Sequence, residues 1–421
     1  MKILHVCQNY FPSKGGPQYT LKHISEKLVE LYGDEVTVCT TNSLFNPESV
    51  LYQKVSPAYE EINHVKIHRL PFHRWHYPVL KYGEKTLIKL TGKALPSELS
   101  KMRWDVWSPA MNKMMHQTNA DVIMGTTINY DFCNYPEKRN KTDNAKPFVL
   151  YGSLHLHITH DYNDSIIRKA RLCDCYLANT DFERNELINK YGVLPHKIVT
   201  VGTGINTEDF IVKDADILSF KEKWRIKKND VVIGFVGRLV KGKGVGVLLE
   251  MIRKLSNQTI EIKLLLAGAS TDYVPVIKQA IDNEGLPIIL IENFEDDIKP
   301  LLYHVMDIFV LPSQSESFGV VFLEAWACKK PVIGSAMGAT ASLLKDGYDS
   351  FLTDINNIDE LINKINILIA NPELRNRMSA NGYNRAIQEF SWQTIVSKYR
   401  EAYTLGIENF KSAKRSVINI L

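Results

Sequence analysis

A chain of 421 residues is longer than one hydrophobic core usually serves, so two domains of about 200 residues each are the starting expectation. An apolar share of 45% and a charged share of 23% are those of an ordinary globular protein and argue against extensive disorder. A formal net charge of +4, with no recognised nucleic-acid module beside it, makes nucleic acid an unexpected partner.

Met1 to Cys7 is a short apolar run that reads as a buried strand. It is too short for a signal-peptide core, and no small-residue cleavage site follows. A loop with Gly15 and Gly16 comes next, then an amphipathic helix from about Gln18 to Leu31, then a strand from Val36 to Thr41. Strand, glycine loop, helix and strand in that order make a βαβ unit and predict a parallel sheet. Apolar runs at Val65 to Leu70, Val122 to Gly125, Phe148 to Tyr151, Cys175 to Asn179 and Ile198 to Val201 extend it into a doubly wound α/β domain. Its ligand is expected outside the carboxyl ends of the strands.

After Asp214 to Asp230 a second series begins: strand Val231 to Val236, helix Val245 to Leu255, then strands at Ile262 to Ala267, Ile288 to Ile291, Ile308 to Leu311 and Pro331 to Gly334. Two similar α/β domains are therefore expected, residues 1–208 and 209–390, followed by a C-terminal helix within 391–421 that packs back across both. The helical spacing of Ile395, Tyr399, Tyr403 and Leu405 supports that last element. No stretch approaches the roughly 18 to 20 uninterrupted apolar residues of a membrane-spanning helix, so a cytoplasmic location is expected, with any membrane contact peripheral at its inner face. The six cysteines are scattered in apolar surroundings and read as reduced core thiols. Cys173 and Cys175 alternate along an expected strand and face opposite sides of the sheet, which disfavours a shared metal.

The chemistry concentrates at two strand-to-helix turns. Strand Ile308 to Leu311 runs into Pro312-Ser313-Gln-Ser-Glu316-Ser-Phe318-Gly319-Val320, and Glu324 follows about two turns into the next helix. A glycine there lets backbone approach a ligand, and the helix-start amides at Phe318, Gly319 and Val320 offer a phosphate site. Phosphate repels carboxylates, so Glu316 and Glu324 suit hydroxyl groups. The plainer reading makes Glu316 a helix cap and Glu324 a surface residue. At the second turn, Gly237-Arg238-Leu-Val-Lys241-Gly242-Lys243-Gly244 places Arg238 and Lys243 where a diphosphate would be held, Arg in bidentate fashion and Lys as a point charge. A solvated basic turn is the plainer alternative. The segment nearly spells a Walker A loop, but Gly244 stands where that loop needs a Ser or Thr for magnesium.

Together these residues resemble the GT-B glycosyltransferases of family 4. The resemblance covers nearly the whole chain and rests on Gly15-Gly16, Gly202-Thr-Gly204-Ile-Asn206, Gly237-Arg238 with Lys243, Leu266-Ala-Gly268, and Pro312-Ser313 through Glu316 and Glu324. It implies two Rossmann-like parallel-sheet domains facing a cleft, the first binding the acceptor and the second a nucleotide-diphosphate sugar, with a UDP-sugar favoured over a GDP-sugar. It implies that Arg238 and Lys243 hold the diphosphate, that Glu316 and the amides of Phe318 to Val320 hold sugar and phosphate, and that Glu324 holds the ribose. Gly15 and Gly16 would let the first loop cover the pyrophosphate. An active-site histidine is expected after a middle strand, His155 first and His157 in reserve. The implied reaction is a front-face transfer with retention, needing no cofactor and no metal; Asp214-Ala-Asp216 matches a DxD pattern but is assigned no metal role.

The acceptor is expected to be a saccharide or a lipid-linked group in cell-surface polysaccharide, lipopolysaccharide or glycolipid synthesis. Between Lys66 and Arg103 nine Lys or Arg stand against two Glu, with Phe72, Trp75, Tyr77, Tyr82 and Trp104 among or beside them. Such a stretch suits an anionic membrane surface or an acidic acceptor, and equally a solvated helix over core aromatics. A sugar-nucleotide epimerase of the same fold and a non-catalytic sugar-nucleotide binding protein are the rival functions. Lys329-Lys330, the absence of a Glu from Gly338-Ala-Thr-Ala-Ser342, and Asn206 in place of a frequent Asp depart from the family pattern, so no sugar is named.

Overall fold

The computed structural model describes residues 1–13, 15–44, 53–73, 76–95, 107–139, 144–154, 164–256 and 260–418. Short apolar runs bounded by turns become strands of two sheets. The first contains β1 (Lys2–Val6), β2 (Glu35–Thr41), β3 (Tyr59–Ile62), β4 (Val65–Leu70), β5 (Val122–Thr126), β6 (Phe148–Tyr151), β7 (Cys175–Ala178) and β8 (Ile198–Thr200), in the order β3-β4-β2-β1-β5-β6-β7-β8. The second contains β9 (Val231–Val236), β10 (Ile262–Gly268), β11 (Ile288–Glu292), β12 (Ile308–Leu311), β13 (Val332–Ser335) and β14 (Ser350–Thr353), in the order β11-β10-β9-β12-β13-β14. Each order reverses about its first-formed strand, the doubly wound pattern that opens a crevice at the carboxyl edge.

The first sheet is not wholly parallel. β3 pairs antiparallel with β4 through a two-residue turn at Asn63 and His64, both with positive φ, 48° and 63°, as a tight hairpin requires. Its sequence, Tyr-Glu-Glu-Ile, is half-exposed and lacks the apolar run that marks the other strands. β14, a four-residue strand, extends the second sheet at its edge, parallel to β13.

Burial alternates along β1: Ile3 and Cys7 face α1 (Gly16–Tyr32) and one core, Leu4 and Val6 the other. All six cysteines are free and buried, and Cys173 and Cys175 lie in opposite cores. Arg69, one of the cations in the basic stretch, is buried too, its guanidinium donating to the carbonyls of Pro57 and Phe11. It therefore leaves that stretch's exposed surface. The stretch's described helix is α2 (His76–Thr91).

The helices that matter below are α3 (Asp181–Asn189), α4 (Asp214–Lys223), α5 (Val245–Leu255), α6 (Lys299–Val305), α7 (Val320–Ala327), α8 (Gly338–Leu343), α9 (Pro372–Glu389) and α10 (Trp392–Ile418). Ile395, Tyr399, Ala402 and Tyr403 recur at helical spacing and are fully buried, so α10 lays one face on α1, β6 and β7 of the first sheet. Tyr403 Oη meets His5 Nε2 at 2.9 Å and Arg400 Nε donates to Asp34 at 3.0 Å. At its other end the Trp392 ring covers Gly204, where a Cβ would sit 2.5 Å from the ring, so only glycine lets the two segments cross. Ile205 N–H donates to Phe390 O at 2.8 Å at the same crossing.

Candidate active site

β9 and β12 are parallel neighbours, so both chains leave the second sheet at the same edge. What joins their turns is Gly244. It has φ 83°, and a Cβ there would lie 2.1 Å from the Pro312 carbonyl oxygen. Glycine at the place of the Walker A hydroxyl residue thus serves packing. Gln314 N–H donates to Gly242 O at 3.0 Å, and buried Ser313 accepts from Ser315 N–H at 3.3 Å, so the two loops form one surface.

On that surface Lys243 Nζ lies 2.7 Å from Glu316 Oε1 and 3.3 Å from Ser315 O. The side chains are 16% and 11% exposed, so the pair is largely withdrawn from water yet reachable. Two of the three ammonium donors are used, and one carboxylate oxygen of Glu316 is not engaged by Lys243. Glu316 is not the cap of α7: the N-cap is Gly319, φ 97°, with no side-chain bond, because the carboxylate is drawn to Lys243 instead. The first amides of α7, from Val320 on, therefore open the helix without a side-chain acceptor. Phe318 is turned inward against Phe390, ring centroids 5.8 Å apart. Arg238 is exposed and joins none of the ion pairs found among the described residues.

Glu324 is buried, which corrects its reading as a surface residue. Tyr303 Oη donates to Oε2 at 2.7 Å and Lys299 Nζ to Oε1 at 3.1 Å, both from α6. Burial and the Glu324 charge hold the Tyr303 phenol well above its usual range, so it stays a donor. Each carboxylate oxygen keeps a lone pair for a further hydroxyl.

From the first sheet, Gly15 caps α1 and Gly16 begins it, with open space where a Gly16 Cβ would project. Tyr19, one turn on, was not singled out from the sequence. Partial burial, then the charges of Asp209 and Glu324, push its phenol up to about 12, and its ring packs against His23 and Trp392, centroids 4.2 and 5.9 Å away. His155 and His157 lie outside the described residues. Leu154, just before them, is tied to a second residue that sequence reasoning missed. Buried Glu183 of α3 accepts from Leu154 N–H at 3.3 Å, Tyr176 Oη at 2.7 Å and Asn179 N–H at 2.7 Å. Among the described residues no cation pairs with it, and burial pushes its carboxyl up to about 7 against those three bonds. The signal was Thr180 three residues earlier, the capping-box spacing: Thr180 Oγ1 accepts from Glu183 N–H at 3.2 Å, while the carboxylate reaches across to β6 and β7.

Residues 14–209 match the model of Glycosyltransferase Family 4 and residues 216–385 that of Glycosyl transferases group 1. The chain belongs to the GT-B glycosyltransferases of family 4. Among this family's members, a D-inositol 3-phosphate glycosyltransferase of Kribbella flavida is 27% identical over 248 residues, 54% of this chain and 57% of that one. The capsular polysaccharide biosynthesis glycosyltransferase CapM of Staphylococcus aureus is 27% identical over 234 residues, 54% of this chain and 60% of that one. These matches thus span little more than half of each relative. The Anabaena protein Alr3699/HepE, solved in complex with UDP and glucose, shares the fold with a TM-score of 0.71 at 20% identity, over 96% of this chain and 99% of that one.

The three departures from the family pattern have structural partners. Lys329 adopts φ 53°, the conformation a glycine takes easily, and lies over the Tyr383 ring at 4.8 Å. Lys330 is half-buried, its ammonium pKa lowered by desolvation, and donates to His304 O at 2.9 Å at the end of α6. Ser342 Oγ of α8 accepts from Phe182 N–H at 3.1 Å, linking the second sheet's helices to α3. Asn206 accepts from Glu208 N–H at 3.3 Å and donates to Asp209 at 2.8 Å, and an Asp has no N–H for the second bond. Asp214 and Asp216 of the DxD pattern sit in the first turn of α4, a favourable place for acidic residues.

Proposed function

We propose that this chain transfers a sugar from a nucleotide-diphosphate sugar, a UDP-sugar in preference to a GDP-sugar, to a saccharide or lipid-linked acceptor, with retention and without a metal ion. The observation that carries the reading is the Lys243–Glu316 pair on the fused turns of β9 and β12. Arg238 and the remaining Lys243 donor meet the diphosphate, the α7 amides take a phosphate oxygen, and Glu316 accepts from a sugar hydroxyl. Glu324 takes the ribose, and the Gly15-Gly16 loop and His155 close the site from the first sheet. The bond from the anomeric carbon to phosphate breaks, and the acceptor oxygen bonds that carbon on the same face. The departing phosphate oxygen receives the acceptor's proton. Arg238 and Lys243 offset the charge that grows on the nucleotide. The UDP preference is supported by the complex formed by the Anabaena protein, and a role in cell-surface polysaccharide or glycolipid synthesis by the names of the relatives.

A melting-temperature screen against UDP-, GDP- and ADP-sugars tests the donor, since a ligand bound at a hundred times its Kd adds about 2.7 kcal/mol to stability. Transfer to an added acceptor, with EDTA present and the product anomer read by NMR, tests the reaction. Donor isomerisation without acceptor would instead mark an epimerase, and binding without turnover a carrier.

A further inference from the structure

The entry to α2 is held firmly. His73 and Trp107 exchange backbone hydrogen bonds of 2.8 and 3.4 Å, and Ser108 Oγ donates to Pro71 O at 2.7 Å. Tyr77 is buried and anchors the first turn. Beyond it the helix turns apolar side chains outward: Val79, Tyr82 and Leu90 are 66%, 65% and 77% exposed. With Thr86 they stand at i, i+3, i+7 and i+11, one continuous stripe. Exposed Lys85 and Lys89 border the stripe and exposed Lys93 follows it, against one acidic residue, Glu84. β4 runs parallel to β2 and β2 to β1, so the chain enters α2 from the same sheet edge that carries the Gly15-Gly16 loop.

We propose that α2 docks on the surface of an anionic lipid bilayer, with Val79, Tyr82 and Leu90 in the headgroup boundary and Lys85, Lys89 and Lys93 among the lipid phosphates. The pattern selects this occupant. A tyrosine and aliphatic residues in one stripe, bordered by long cationic chains that reach sideways, match a plane that is apolar below and anionic above. A nucleic acid would use the lysines and leave the stripe in water. A helix-binding protein groove would be expected to want a less charged border. Docking on this face brings the open edge of the first sheet to a surface where lipid-linked acceptors lie. It uses none of Arg238, Lys243, Glu316 or Glu324, so it stands or falls apart from the proposed transfer.

Sedimentation of the full chain with vesicles tests it. Wild type is expected to sediment with phosphatidylcholine–phosphatidylglycerol vesicles and to remain in solution with phosphatidylcholine alone. Replacing Lys85, Lys89 and Lys93 by Gln should weaken partitioning at least about thirtyfold, and Val79→Ser with Tyr82→Ser and Leu90→Ser should weaken it at least about tenfold. Both variants should keep the wild-type melting temperature. Equal binding to neutral vesicles, no binding to anionic ones, or unchanged partitioning of the serine variant would each overturn the proposal. Release by inorganic phosphate beyond that by chloride of equal ionic strength would also overturn it, by pointing to a phosphate site instead of a surface.

Discussion

The two sheets end at their carboxyl edges in different ways. In the second, backbone holds backbone: Gly244 against Pro312 and Gln314 against Gly242 fuse the turns, which leaves Lys243 and Glu316 to pair on the surface. In the first, a buried side chain does the holding, with Glu183 gathering the ends of β6 and β7 and pairing with no cation among the described residues. A fused backbone is indifferent to pH and leaves charges for a ligand. A buried carboxylate makes its edge sensitive to protons near neutrality.

The sharpest way to break this comparison is at Lys243 and Glu316. Lys243→Ala and Glu316→Ala should each lower kcat/KM at least about a hundredfold, roughly 3 kcal/mol of transition-state stabilisation. The double variant should lose less than the sum because the two are coupled. Melting temperatures should move little, and near-normal rates in both single variants would remove the pair from the site.

Glu183 should behave oppositely, through stability. Its carboxyl is raised from 4.5 to about 7, so the folded state holds the proton longer than the unfolded one. The resulting stabilisation is complete below the unfolded value and is lost as pH rises towards the folded one, a change on the order of 3 kcal/mol. Buried His5 and half-buried His23, lowered to about 3 and about 4 chiefly by desolvation, act with the opposite sign below the histidine reference value. The difference between wild type and Glu183→Gln isolates the carboxylate. Denaturation of both from acid to mildly basic pH should show the wild type losing stability relative to the variant, and parallel curves would refute the assignment.

The smallest effect is expected at Gly244→Ala. A left-handed φ and the Pro312 carbonyl in the Cβ position cost at least about 2 kcal/mol of stability. Donor affinity should fall with it as the turns part, whereas a variant of unchanged stability would mean that they are not fused.

Most strands could be read from the chain because each is an apolar run closed by a turn. β3 and β14 could not: Tyr-Glu-Glu-Ile and Ser-Phe-Leu-Thr are four residues each with polar members, without the apolar run that still marked the other two edge strands, β8 and β11. Lys243 and Glu316 were legible as charges at glycine turns. Their contact was not, because it depends on β9 and β12 becoming neighbours across 73 residues of chain. Tyr19 stands on the exposed side of α1 and carries no sequence signal of its own. Glu183 escaped notice for a simpler reason: it lies in a helix whose pattern looks like ordinary surface, and its burial is decided by what packs over it. The same holds for Glu324, whose partners come from α6.

The crossing of α10 also orders events in time. His5 and Tyr403 meet across 398 residues, so the face of the first sheet that α1 and α10 share is fully covered only once α10 has been made. The second sheet, by contrast, draws all its strands from one unbroken stretch, Val231 to Thr353. The part of the molecule that is translated first is therefore the part completed last.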